Sequence, residues 1–133
     1  MTGAAKGTVL RLLSELGRVC GDYHHEHVRG LTAERIQCDE IWAFVYSKAK
    51  NVRPEQARKF GVGDVWTWVG IDADTKLVAS WIVGTRDAGA AKLFMRDLAK
   101  RLAHRVQLTT DGHHATFRPF GTCSRTRLST RFS

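Results

Sequence analysis

Apolar positions change their period several times along the chain, and each change marks an element. In residues 6–16 (KGTVLRLLSEL), Val9, Leu12, Leu13 and Leu16 recur at helical spacing. That spacing predicts a short amphipathic helix with Gly17 standing where a C-cap would sit. Residues 18–34, which include GDYHHEHVRG, are polar and aromatic without a clear period, and this connector is assigned no element. Residues 36–46 are rich in strand formers, and a basic insert follows, SKAKNVRPEQARKFGVG, punctuated by Pro54 and two glycines. The runs VWTWVGI (65–71) and LVASWIV (77–83) flank the polar DADTK, which predicts a hairpin. From Asp87, a candidate N-cap, the spacing sets Ala91, Phe94, Met95, Leu98 and Leu102 on one helical face and Lys92, Arg96 and Lys100 on another. A last strand is predicted over residues 105–110 (RVQLTT).

The order strand, hairpin, helix, strand suits an α/β or α+β fold built on a mixed sheet. Three antiparallel strands are followed by a crossover helix that returns a fourth strand parallel to the first. After Gly112 the pattern stops. The stretch HHATFRPFGTCSRTRLSTRFS has seven Ser and Thr, four Arg and no acid, and shows neither period. Residues 116–133 are therefore expected to be a disordered basic tail or the product of a shifted reading frame.

Composition narrows the class. The 133 residues, 43% of them apolar, suit one domain rather than two. Lys and Arg number 21 against 13 Asp and Glu, a formal charge of +8. Such a surplus favours a polyanionic partner, with nucleic acid ahead of an anionic membrane. No apolar run is long enough to span a bilayer and the N-terminus lacks a signal-peptide layout, so a soluble, intracellular protein is expected. Three widely spaced cysteines, Cys20, Cys38 and Cys123, do not form a disulfide framework.

The chemistry-bearing feature is a pair of acids, Asp39 and Glu40, inside the apolar strand RIQCDEIWAFV. Period-two alternation places Asp39 on the face of Ile41, Ala43 and Val45, and Glu40 on the face of Cys38, Trp42 and Phe44. If the sheet is covered on both faces, each carboxylate needs a partner, because a lone buried charge costs several kcal/mol. A second acid, Asp111, ends the last predicted strand, and Gly112 lets the chain turn away. In the crossover arrangement that strand lies beside the first, so Asp39 and Asp111 are expected to converge across 72 positions. Two adjacent carboxylates require a shared proton or a cation, and hard oxygen ligands suit Mg²⁺.

The segments CDEIWAFV, VWTWVGIDADTKLVASWIVGTRD and LTTDGHHA, in that order, resemble the catalytic core of the DDE-type transposases of small bacterial insertion sequences. The resemblance covers residues 29–115. It implies an RNase H-like fold, incomplete here at the C-terminus, for residues 35–115, with Asp39 as the first catalytic aspartate and Asp111 as the second. It also implies two Mg²⁺ or Mn²⁺ ions in intact relatives, DNA (element ends and target) as partner, homo-oligomerisation, and a cytoplasmic, nucleoid-associated location in a bacterium. Residues 1–17 are similar to the end of the family's helix-turn-helix segment. The third acid of the family, a downstream glutamate, has no counterpart, since Asp111 is the last acidic residue. The polypeptide is thus expected to be a truncated or frameshifted copy, inactive in strand transfer by itself. The alternative is a non-catalytic, basic DNA-binding remnant.

The remaining candidates have plainer readings beside the functional ones. Lys48, Lys50, Arg53, Arg58 and Lys59 of the insert suit phosphate contacts or a solvated loop equally. Asp72 and Asp74 suit a hairpin turn. Cys20, His24, His25 and His27 lack the paired spacing of a structural zinc site, and a solvated connector is expected there. His113 and His114 are expected to be exposed loop residues. Trp42, Trp66, Trp68 and Trp81 alternate along strands and are expected in the core rather than as base-stacking platforms.

Overall fold

Apolar residues that alternate along β1 (Arg35–Val45), β2 (Gly63–Asp72) and β3 (Val78–Gly84) build a meander, which α2 (Ala88–Arg101) connects to β4 (Val106–Thr110). A long helix, α1 (Lys6–His27), precedes the meander, and a short strand, β5 (Leu128–Thr130), lies beyond β4. The computed structural model describes residues 3, 5–57, 59, 61–110 and the backbone of 128–130. The sheet order is β3-β2-β1-β4-β5. β1 is antiparallel to β2, β2 to β3, and β4 runs parallel to β1. The expected arrangement of three antiparallel strands, crossover helix and parallel fourth strand is therefore present.

One face of this sheet holds the core. Ile36 and Cys38 of β1, Trp68 of β2 and Val106 and Leu108 of β4 are buried beneath Ala90, Ala91, Phe94 and Leu98 of α2. Gly70 allows the close approach. A Cβ there would lie 3.3 Å from Phe94 and 3.6 Å from Leu98. As the sequence suggested, Asp87 caps α2, its carboxylate accepting from the Ala90 N–H at 2.9 Å. Asp72 closes the β2–β3 hairpin by accepting from the Asp74 N–H and the Thr75 hydroxyl, and Asp74 pairs with Arg35, so both acids are turn residues. The hydrogen bonds from Thr75 and the Asp74 N–H hold the Asp72 carboxyl below its usual range.

The opposite face is open. Ile41, Val45, Trp81 and Val83 are each about half exposed. The expectation that the tryptophans are core residues holds for Trp68, 1% exposed, and fails for Trp42 and Trp81, 40% and 46% exposed. Trp81 alternates to the face away from α2, where Gly21 of α1 approaches its ring, and Trp42 is not among the residues packed under α2.

Two further expectations are corrected. The N-terminal helix does not stop at Gly17 but runs 22 residues, through much of the stretch read as a connector. An interior glycine costs only about 1 kcal/mol relative to alanine. Here the ion pairs Arg11–Glu15 and Arg18–Asp22 flank it. The far end of α1 is pinned by the buried Arg101, which donates to the carbonyls of His24 and Val28 and pairs with Asp97 at 2.6 Å. The second correction is β5, whose residues 128–130 fall in the tail read as lacking a strand. It pairs in parallel with Val106–Leu108, and an unpaired strand edge accepts any extended segment without requiring a period. The rest of the predicted tail, 116–127 and 131–133, lies outside the described residues.

Truncating the ring that seats α2 should therefore be costly. Phe94→Ala is expected to lower unfolding free energy by about 3–5 kcal/mol in urea titration. Leu93→Ala, at a 58% exposed neighbour, is expected to stay within about 0.5 kcal/mol of the parent. Equal losses would contradict the packing described.

Candidate functional site

The two acids of β1 part company as the strand alternates. Asp39 stands across from Val69 on the open face and is exposed. Its Oδ1 accepts from the Glu40 N–H at 2.7 Å, which fixes the carboxylate against its own strand. Glu40 stands across from Trp68 on the α2 face, is half-buried, and accepts from Arg86 Nε at 2.5 Å. Open solvation on one side and Arg86 on the other satisfy both acids. The premise of a sheet covered on both faces does not hold, so burial alone demands no cation at Asp39.

What distinguishes Asp39 is its place in the ladder. β1 and β4 pair in parallel from Arg35↔Gln107 through Cys38↔Thr110, and Asp39 is the next residue of β1. Asp111, the second proposed carboxylate, lies outside the described residues, as do His113, His114 and Arg58. Among the described residues no group of three or more His, Cys, Asp or Glu side chains is placed to hold a metal ion. Asp39 thus offers one hard oxygen donor, which suits Mg²⁺ in kind but is too few to hold it alone. Cys20, His24, His25 and His27 form no such group either. His24 bonds the Val78 carbonyl through Nε2 at 2.8 Å, and Cys20 is exposed.

A cleft of about 280 Å³ lies between α1 and α2, away from Asp39, lined by Gly21, His24, His25, Trp81, Asp97 and Arg101 among others. Its charged groups are mutually satisfied. Burial raises the Asp97 carboxyl, but hydrogen bonds from Arg101 and Ser80 outweigh it and leave the group below its usual range. The cleft is the joint that fastens α1 rather than a reactive site.

The α2 face yields a surface that the sequence did not disclose. Trp42 and Trp66 are direct cross-strand partners, and Phe44 lies 5.8 Å from Trp42 between ring centroids. The Lys48 ammonium stands 5.1 Å from the centre of Trp42, and the Arg86 guanidinium 4.5 Å from that of Trp66. Lys48, Lys50, Arg53 and Lys59 are all exposed. The insert is tied down where Asp64 accepts from the Ala49 N–H at 2.8 Å. Basic insert and rings, of which Trp66 is half-buried, therefore form one neighbourhood, roughly 10 Å along β1 from Asp39 at 3.3 Å per residue and on the opposite face of the sheet. Arg86 was missed because its partners are set by cross-strand register, which local pattern does not reveal.

The sequence matches no protein-family model, and no curated protein matches it significantly.

The division of β1 into an inner and an outer face is testable at Cys38, which adjoins Asp39. Burial pushes the Cys38 thiol up to about 12. Alkylation of the native protein at pH 8 is expected to mark exposed Cys20 and spare Cys38 until denaturant is added, as read by peptide mass mapping. Modification of native Cys38 as fast as Cys20 would place the strand the other way round.

Proposed function

We propose that this chain carries part of the catalytic core of a DDE-type transposase of the small bacterial insertion-sequence kind, with Asp39 and Asp111 as its two metal-binding carboxylates. The observation that carries the reading is the parallel β1–β4 ladder. Its four pairs join positions with one constant offset, and that offset is the separation of Asp39 from Asp111 in the sequence. The mixed sheet with a crossover helix is also the arrangement that an RNase H-like core requires.

In this reading β1 presents Asp39 toward solvent, where a phosphodiester can approach. Glu40, held by Arg86, takes no part in binding metal. Asp39 and Asp111 would hold divalent metal, whose chemistry when bound would be activation of the attacking oxygen and stabilisation of the leaving one. Lys48, Lys50, Arg53 and Lys59 supply the positive charge that holds the DNA backbone beside them. Two carboxylates alone supply few of the oxygen ligands that Mg²⁺ takes, so the site formed by Asp39 and Asp111 binds divalent ions weakly.

The paired rings of Trp42 and Trp66, flanked by Lys48 and Arg86, favour a second reading: a DNA-binding remnant without chemistry. Mn²⁺ titration followed by electron paramagnetic resonance separates the two. The catalytic-core reading expects weak binding that Asp39→Asn and Asp111→Asn each abolish and Asp74→Asn leaves intact. Binding indifferent to both Asp39 and Asp111 would leave only the remnant.

A further inference from the structure

The unabsorbed feature is α1. All 22 of its residues escape burial, although Val9, Leu12, Leu13, Leu16, Val19 and Tyr23 are large and apolar, each at least half exposed. Val9, Leu12, Leu16, Val19 and Tyr23 follow one another at intervals of three, four, three and four. That is the a/d spacing of a coiled-coil seam, with Leu13 and Cys20 on its e flank. We propose that α1 is a dimerisation helix, and that its partner is α1 of a second copy of this chain, packed parallel and in register. The inference does not rest on the catalytic reading.

Three observations select this occupant. First, the protein body is fastened to the other side of the helix. Its contacts come through Gly21, which faces Trp81, through His24, which bonds Val78, and through the carbonyls of His24 and Val28, which Arg101 holds. At 100° per residue these positions lie roughly 100–160° around the helix from the middle of the seam, so the bodies sit to the side and back of the helix and leave the seam open. Second, the area suffices. Covering the six apolar side chains on both copies removes on the order of 1,300 Å² from water, within the range of specific interfaces. Third, the charges choose the direction. Glu15 and Asp22 occupy the g flank, each tied to an arginine one turn earlier in its own helix. An antiparallel pair would set these acids against one another. A parallel pair sets Asp22 against His27 of the second copy and Glu15 against Cys20.

Sedimentation equilibrium of the full chain tests this over loading concentrations of roughly 5–500 µM, a span suited to a seam of little more than two heptads. The expected result is a monomer–dimer equilibrium that Leu12→Glu and Leu16→Glu each abolish. Both residues are exposed in the monomer, so helicity by circular dichroism should be retained apart from any helix stabilised by pairing. A second variant, Val9→Cys, reports direction and register. Parallel helices bring the two positions 9 together, and an intermolecular disulfide should form on removal of reductant. A chain that stays monomeric throughout, or a dimer that survives both glutamates, overturns the proposal. A dimer lost in the glutamate variants but without a Val9→Cys cross-link overturns the parallel register.

Discussion

The seat of Phe94 and Leu98 over Gly70 is the constraint on which the rest of the structure depends. A Cβ at position 70 would meet the Phe94 ring at 3.3 Å, so the bare glycine lets α2 lie a few tenths of an ångström closer to β2 than a side chain would. With α2 in that place, the chain leaving Arg101 enters the sheet on the far side of β1, and β4 runs parallel to it. Central placement of β1, between β2 and β4, follows. So does the exposure of Asp39, because α2 covers the face that carries Cys38 and leaves the opposite face to solvent at position 39.

Much of this was legible in the sequence. The alternation in β1, β2 and β3, the DADTK turn, the Asp87 cap and the apolar stripe of α2 are local signals, and each led to the element observed. The N-terminal helix was cut short because Gly17 imitates a C-cap. What extends it is distant: Arg101, 73 positions after Val28, holds the carbonyl at the helix end. Trp42 and Trp81 went the other way. Alternation predicts which face a residue takes and says nothing of whether that face is covered. β5 has no local signature because its stabilisation comes from the edge of β4.

The candidate site divides along the same line. Asp39 stood out as an acid in an apolar strand, and the structure gives it an exposed position one residue beyond the β1–β4 pairs. Its partner in the proposed site lies outside the described residues. The argument from burial, which required each acid to find a countercharge, is replaced by a different one: Glu40 has Arg86, while Asp39 faces solvent. Register carries the proposed functional reading, and in that proposal the basic insert beside Trp42 and Trp66 would be the surface for the polyanion that the charge of +8 anticipates.

The central claim is that Asp39 and Asp111 form one metal site, and site-directed oxidative cleavage measures it most directly. Fe²⁺ replaces Mg²⁺ on such carboxylates, and with ascorbate and peroxide it generates hydroxyl radicals that cut the nearby backbone. The account predicts two sets of cuts, around residue 39 and around residue 111, both suppressed by excess Mg²⁺. Cuts at only one of the two, or no cuts suppressed by Mg²⁺, would contradict it.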